Sequence, residues 1–271
     1  MDRDAPIGVF DSGLGGLTVA RAIARRLPDE RLVYLGDTAR VPYGTRSPHT
    51  VLRYARSCAK HLAAHDIKLL VVACNTVSAV ALPMLRVELD VPVVGVIGPG
   101  ARAGAAASRA HKIGVIATAG TVRSGAYPRA VAAVSTRAEV LQRPAPLLVP
   151  LVEEGWLDGE VPTLVVRRYL EPLIAEGIDA LVLGCTHYPL LADVIREEAE
   201  ALALRPIAVV DSAEATATEL AGILDDRGLA RQEGPGSLTL MVTDLPEQFA
   251  TVAARFLGRE VPEDAVSQVD L

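Results

Sequence analysis

The feature that most constrains the fold of this chain is a regular alternation of short apolar runs with helical patterns. The segment 17–27, which follows the first run, carries apolar residues at every third or fourth position, as an amphipathic helix does. Strand–helix alternation of this kind predicts an α/β protein whose mostly parallel sheets are flanked by helices. The predicted strands are 7–10, 32–35, 69–73, 93–97, 113–117, 181–183 and 207–210.

The composition suits buried parallel strands and limits the possible partners. Half of the residues are apolar but only 4% are aromatic, so the cores must consist mainly of Val, Leu, Ile and Ala. A chain of 271 residues is long enough for two small α/β units. The net charge of −6 and the lack of a dense basic run argue against a nucleic-acid partner.

The expected cellular setting is the cytoplasm. Residues 1–13 have neither the basic start nor the long apolar stretch of a signal peptide. No segment reaches the roughly 18 uninterrupted apolar residues of a transmembrane helix, so we expect no membrane partner. Three cysteines, an odd number, argue against a disulfide framework and favour reduced thiols.

The chain also contains a weak internal repeat that favours duplication of one α/β unit. Three matches occur in the same order in both halves, and they place Cys74 and Cys185 at equivalent positions, each just after a predicted strand. Ligands of open α/β sheets lie outside the carboxyl ends of the strands. If the two halves face each other across a cleft, both thiols would therefore approach one ligand from opposite sides. The matching segments are 7–12 with 113–118, 69–76 with 180–187, and 91–96 with 205–210.

Two opposed thiols suit racemisation at a carbon, because one base removes a proton and the other returns one from the far face. Thiolates are accessible near neutral pH, since an unperturbed thiol has a pKa of about 8.5 and helix N-termini lower it. Cys74 and Cys185 each precede a predicted helix whose N–H groups would stabilise a thiolate. A lone free cysteine is usually a buried small hydrophobe, and Cys58, inside a helical pattern, is interpreted in that way.

Other polar residues near predicted strand ends complete the set of candidates. Asp11 and the glycine-rich segment 13–16 follow the first strand, where exposed N–H groups would hold a carboxylate or phosphate. Asp11 would either cap the helix or orient or relay protons to a cysteine. His187 lies two residues after Cys185 and, when protonated, would favour its thiolate, while Glu153 is a candidate to orient His187.

Five segments of the chain carry a resemblance to a known family. They are 8–16 (GVFDSGLGG), 36–44 (GDTARVPYG), 73–76 (ACNT), 149–153 (VPLVE) and 183–191 (LGCTHYPLL). Together they resemble the glutamate racemase family. The resemblance implies two pseudo-symmetric α/β lobes with the active site in the cleft between them, the first lobe containing residues 1–97 plus 208–271 and the second residues 98–207. It implies interconversion of L- and D-glutamate without pyridoxal phosphate, other cofactor or metal, which supplies D-glutamate for peptidoglycan. It also implies a homodimer.

The same resemblance assigns roles to individual residues. Cys74 would deprotonate D-glutamate with the help of Asp11, and Cys185 would deprotonate L-glutamate with the help of His187 and Glu153. Two positions depart from the common family pattern, namely Gly98 in place of Glu and Ala145 in place of Cys. The implied substrate-binding residues are Asp11, Ser12, Tyr43, Gly44, Asn75, Thr76, Thr186 and His187, with Thr118 and Thr121 as weaker candidates.

Three alternatives stay open at this point. A sister racemase acting on aspartate or another amino acid would use the same pair of cysteines. A cysteine hydrolase would use Cys185 as nucleophile and His187 as base, but would leave Cys74 without a role. A metal- or solute-binding module would use all three side chains as ligands, although the chain lacks the paired C-x₂-C spacing of strong zinc sites.

Overall fold

The computed structural model describes residues 2–271 and contains two parallel β-sheets. The strands are β1 (Ile7–Asp11), β2 (Arg31–Gly36), β3 (Leu69–Val72), β4 (Val93–Gly95), β5 (Lys112–Ala117), β6 (Glu139–Pro144), β7 (Ala180–Gly184), β8 (Ala208–Asp211), β9 (Ser237–Val242) and β10 (Val266–Gln268). The helices are α1 (Leu17–Arg26), α2 (Pro48–Ala63), α3 (Asn75–Val80), α4 (Leu82–Glu88), α5 (Ile97–Ala107), α6 (Ala119–Ser124), α7 (Ala126–Ala132), α8 (Leu148–Glu153), α9 (Glu160–Ala175), α10 (Ala192–Ala203), α11 (Ser212–Asp226) and α12 (Pro246–Leu257).

Every strand pair in both sheets is parallel, which confirms the predicted α/β fold. The first sheet has the order β10-β9-β2-β1-β3-β4 and the second has the order β6-β5-β7-β8. The apolar runs predicted as strands correspond to β1–β5, β7 and β8. The sequence did not predict β6, β9 and β10. Strand β6 is a partly exposed edge strand with charged residues, and polar residues interrupt the apolar ones in β9 and β10.

The internal repeat appears as a shared topology of the two sheets. The order β2-β1-β3-β4 in one sheet matches β6-β5-β7-β8 in the other, while β9 and β10 extend the first sheet beyond β2. The register is equivalent as well, since Ile7 pairs with Leu69 and Ile113 pairs with Ala180. Cys74 and Cys185 therefore follow equivalent strands, as the repeat predicted.

One expected boundary between the lobes is wrong. Strand β8 pairs with β7, and Leu181 lies opposite Val209, so residues 208–211 belong to the second sheet and not to the first lobe. The physical reason is the duplication itself, because β8 is the counterpart of β4, the last strand of the first unit. The chain returns to the first sheet only at β9. The remaining division at residues 97 and 98 stays a prediction.

Helices α1 and α11 show how the two halves are held together. Helix α1 buries its apolar stripe and exposes Arg25 and Arg26 in its last turn, as the pattern predicted. Helix α11 packs against α1 of the first half and α5 of the second. The hydroxyl of Thr18 in α1 donates to the carbonyl of Thr186 at 2.9 Å, which fixes the two strand ends close together. Among the described helices, none is both long enough and apolar enough to cross a membrane.

Candidate active site

A cavity of about 360 Å³ lies between the two sheets, where the carboxyl ends of β1, β3, β5 and β7 meet. Both Cys74 and Cys185 line it. The predicted residues Asp11 and Thr121 are buried and do not line the cavity, and neither Gly98 nor Ala145 is among the lining residues. The lining residues that the sequence predicted are Ser12, Tyr43, Gly44, Cys74, Asn75, Thr76, Thr118, Glu153, Cys185, Thr186 and His187.

Cys74 lies on the first-sheet side of the cavity and is held as a neutral thiol. Its Sγ donates to the Ser12 hydroxyl at 3.3 Å. Burial raises the pKa of Cys74 to about 12, and the neighbouring Asp11 carboxylate adds to this effect. The hydrogen bond with Ser12 and the Val77 N–H of the following helix lower the pKa, but by less. Cys74 therefore rests as a thiol, because burial outweighs the stabilisation that the helix N-terminus gives to its thiolate.

Asp11 lies behind this thiol with one oxygen engaged and the other free. Its Oδ2 accepts the Gly13 N–H at 2.9 Å, whereas Oδ1 is buried and has no partner within residues 2–271. Burial raises the pKa of Asp11, although the charge of His187 and the N–H groups of Gly13 and Gly16 act in the opposite direction. The free Oδ1 thus leaves Asp11 able to take part in a further hydrogen bond.

Cys185 lies on the second-sheet side and faces a cationic histidine. Its Sγ is 4.0 Å from His187 Nδ1, and His187 Nε2 is 3.1 Å from Glu153 Oε1. Burial lowers the pKa of His187, but the hydrogen bonds and charges of Cys185 and Glu153 together outweigh burial and raise it to about 10. Near neutral pH His187 therefore carries a proton and places a positive charge beside the Cys185 sulfur, an arrangement typical of reactive thiols.

Hydroxyl groups from both halves meet at the floor of the cavity. Thr76 at the start of α3 and Thr118 before α6 lie 2.9 Å apart through their Oγ1 atoms. Thr121 Oγ1 lies 3.1 Å from that of Thr118 and 3.4 Å from that of Thr76. Together with the side chain of Asn75, these groups form a set of hydrogen-bond donors suited to a carboxylate. The metal-binding alternative required at least three His, Cys, Asp or Glu side chains grouped around one ion. Within residues 2–271 there is no such group.

Comparison with known proteins agrees with this geometry. The family model described as Asp/Glu/Hydantoin racemase matches residues 7–220. The chain is 52% identical over 266 residues to glutamate racemase from Geobacter metallireducens, covering 98% of this chain and 96% of the relative. The chain belongs to this racemase family. It is an isomerase, an amino-acid racemase.

Solved structures of the family have the same fold over their whole length. Glutamate racemase isoform RacE1 from Bacillus anthracis has a TM-score of 0.93 at 40% identity and covers 99% of this chain and 98% of its own. Glutamate racemase from Francisella tularensis in complex with D-glutamate has a TM-score of 0.90 at 33% identity, with coverages of 99% and 98%. Both neighbours confirm the expected arrangement of two α/β lobes.

The racemase also uses residues that the sequence did not single out. Helix α12, far along the chain, supports the Cys185 side of the site. Nη1 of Arg255 donates to the carbonyls of Val152 at 3.0 Å and Glu153 at 2.6 Å, which holds the last turn of α8. The ring of Phe256 packs edge-on against His187, with centroids 5.3 Å apart. No local signal pointed to these two residues, because Arg255 contacts α8 across about a hundred residues of chain and Phe256 contacts His187 from a different element.

The Tyr43–Gly44 loop of the racemase is anchored through Asp37, a residue of the 36–44 motif. Asp37 is fully buried and accepts hydrogen bonds from Arg40 Nε, the Tyr43 hydroxyl and Thr243 Oγ1. Tyr43 therefore reaches the cavity with its ring and backbone, while its hydroxyl is engaged elsewhere. A Cβ at Gly44 would lie 3.0 Å from Thr118 Cβ, so glycine lets this loop close against the second half.

Apolar side chains complete the wall of the racemase cavity and limit the access of water. They come from the segment between β1 and α1, from the loop that precedes Tyr43, and from α8 and the segment just before it. Cys58 takes no part in this wall, since it is buried in α2, with Arg40 Nη2 3.6 Å from its sulfur. The apolar lining residues are Leu14, Val41, Pro42, Pro146, Val149 and Pro150.

Proposed function

We propose that this racemase interconverts L- and D-glutamate by proton transfer at Cα between Cys74 and Cys185, and so supplies D-glutamate for peptidoglycan. The observation that carries the proposal is the position of the two thiols. They follow equivalent strands of opposite sheets and line one cavity. The substrate is supported by the relatives, which are glutamate racemases and include one in complex with D-glutamate.

The resting protein is prepared for L-glutamate. Cys185, beside the protonated His187, acts as a thiolate base and takes the Cα proton, and the Cys74 thiol then donates its proton to the opposite face of the carbanion. The product is D-glutamate, with Cys185 left as a thiol and Cys74 as a thiolate. The reverse reaction follows the same steps backwards, starting from the Cys74 thiolate. When the resting enzyme meets D-glutamate, the buried Asp11 Oδ1, which has no partner among the described residues, takes the Cys74 proton. His187 gives its proton to Cys185, so that a Cys185 thiol is ready to protonate the opposite face of the carbanion.

The surroundings of the thiols stabilise the carbanion without a cofactor. Oriented hydrogen-bond donors in a site that excludes water stabilise developing charge strongly, because they need no reorganisation during the reaction. We assign this role to Ser12, Asn75, Thr76, Thr118 and Thr186, all of which line the cavity. The apolar wall excludes water from the carbanion and strengthens each of these interactions.

The test follows the Cα proton in D₂O. Purified protein is incubated with L-glutamate, D-glutamate or L-aspartate, and optical rotation and the NMR signal of Cα–H are followed together. Loss of rotation with deuterium entering Cα, for glutamate alone, is the expected result. Turnover of aspartate instead would replace the proposed substrate. A mass increase from a covalent acyl-enzyme, without deuterium exchange, would favour the hydrolase alternative and refute racemisation.

We further propose that the racemase acts in the cytoplasm as a homodimer. The family resemblance supports the dimer, and the three free, buried thiols suit a reducing compartment. Sedimentation equilibrium is expected to give twice the 28.5 kDa mass of one chain. A single-chain mass at all concentrations that support activity would refute the dimer.

A further inference from the structure

Tyr127 makes a hydrogen bond across the two halves of the racemase but does not line the cavity. It belongs to α7 of the second half and is fully buried. Its hydroxyl donates to Oδ1 of Asn75 at 2.8 Å, and Asn75 is the first residue of α3 in the first half, directly after Cys74. Because Asn75 lines the cavity, Tyr127 acts on the site from one layer behind it.

This hydrogen bond determines which end of the Asn75 amide is available to a ligand. The amide has one oxygen acceptor and one nitrogen that donates twice. The oxygen is engaged by Tyr127, while Nδ2 is buried and has no partner within residues 2–271. A buried donor without an acceptor is unfavourable, and a carboxylate bound in the cavity would supply the acceptor. If the amide were reversed, its oxygen would face an anionic ligand and repel it.

Tyr127 is held so tightly that it can serve as a fixed reference for Asn75. A Cβ at Gly184 in β7 would lie 3.0 Å from Tyr127 Cε2, and a Cβ at Gly100 in α5 would lie 3.4 Å from its hydroxyl oxygen. Glycine at position 184 therefore makes room for this ring, and Gly100 packs close to its hydroxyl. Ser212, which adjoins Gly100, donates to the carbonyl of Leu183 at 3.0 Å, so the same packing reaches the strand that ends at Cys185.

We propose that Tyr127 is a positioning residue for racemisation, whose hydroxyl orients the Asn75 amide so that Nδ2 donates to a carboxylate of the substrate beside Cys74. The inference rests on the proposed function, since it places an anionic amino acid in the cavity. The hydrogen bond also ties the loop that contains Cys74 to the packing around the strand that precedes Cys185.

The test compares Tyr127→Phe with the matched control Tyr188→Phe. Both tyrosines are fully buried in the second half, and each donates one hydrogen bond, that of Tyr188 going to the Ala145 carbonyl at 2.8 Å. Tyr127→Phe is expected to raise the KM for both glutamate enantiomers about tenfold with a smaller change in kcat. Both variants are expected to lower the melting temperature by similar amounts, because each loses one buried hydrogen bond. Tyr188→Phe, however, should leave KM unchanged. Equal effects of the two variants on KM would overturn the proposal.

A double-mutant cycle separates positioning from general loosening of the structure. In an Asn75→Ala background, Tyr127→Phe is expected to cause no further rise in KM. A full additional tenfold rise would show that Tyr127 acts independently of Asn75 and would overturn the proposal. If Tyr127→Phe does not fold, Tyr127→His takes its place in the cycle, because an imidazole keeps a ring at this position but is too short to bring a donor to Asn75 Oδ1.

Binding without turnover distinguishes this proposal from the proposed function. D-glutamate is titrated into the Cys74→Ser, Cys185→Ser double variant, with and without Tyr127→Phe, by calorimetry. About tenfold weaker binding on loss of the hydroxyl would support positioning even if the wild-type enzyme failed to racemise glutamate, which would refute the function alone. Unchanged binding would overturn the role of Tyr127, and no binding of glutamate to either protein would overturn both proposals.

Discussion

Replacing Glu153 by Gln tests the electrostatic design of the Cys185 side most directly. The substitution keeps the shape of the side chain and removes the negative charge 3.1 Å from His187 Nε2. The pKa of His187 is about 10 because hydrogen bonds and charges from Cys185 and Glu153 outweigh burial. The Glu153 side chain is 45% exposed, so water screens part of its effect. We expect its removal to lower the pKa of His187 by about one unit, equivalent to about 1.4 kcal/mol.

The expected kinetic result is a shift of the alkaline limb of the pH profile. The enzyme loses activity when His187 loses its proton, so this limb of kcat/KM should move from about pH 10 to about one unit lower in Glu153→Gln. Because the two enantiomers of glutamate have equal free energy, kcat/KM must change equally in both directions. Circular dichroism measures the rates, and NMR of the imidazole Cε1–H measures the His187 pKa in the same samples.

The matched control is Glu154→Gln, which removes the same charge from the exposed neighbouring residue. This variant should keep the wild-type pH profile. The reasoning fails if Glu153→Gln and Glu154→Gln have the same alkaline limb, or if His187 titrates unchanged while the limb moves. The second outcome would mean that another group controls the loss of activity at high pH.

Three further predictions follow from other parts of the molecule. Cys74→Ser and Cys185→Ser should each abolish racemisation measured by circular dichroism. Cys58→Ser, outside the cavity, should remain active, and a folded but inactive Cys58 variant would contradict the assigned roles. Asp37→Asn should destabilise the protein by about 3 kcal/mol in urea unfolding, because it disrupts a fully buried network, whereas a change below about 0.5 kcal/mol would show that the network is unimportant. The stability that comes from protonated His187 should be fully present below about pH 6.5 and should be lost as the pH rises through about 10. The free energies of unfolding of wild type and His187→Gln, measured across that range, should therefore converge at the alkaline end.

The strand ends could be predicted from sequence because they depend on local patterns. The apolar runs that became β1, β3, β5 and β7 are short, buried and rich in aliphatic residues, and a polar or thiol side chain follows each of them within two residues. Strands β6, β9 and β10 were not predicted. The edge strands β6 and β10 carry charged or polar residues, and the interior strand β9 begins with mixed residues and pairs with β2, which lies far away in sequence. The repeat also pointed to the correct assignment of β8 to the second sheet. Its match of 91–96 with 205–210 makes residues 208–211 the counterpart of β4, the last strand of the first unit.

The sequence by itself determined the parallel α/β architecture, the duplication and the equivalence of Cys74 with Cys185, because each follows from periodicity or from spacing along one stretch of chain. Only the tertiary structure decided that Cys74 is a thiol in the resting protein and that a cation lies beside Cys185. The raised pKa of Cys74 comes from burial, and the raised pKa of His187 comes from Cys185 and from a Glu153 side chain on another element. The support from Arg255 and the orientation of Asn75 by Tyr127 likewise arise only when distant segments pack together. Burial and distance are properties of that packing, and no local pattern of residues encodes them.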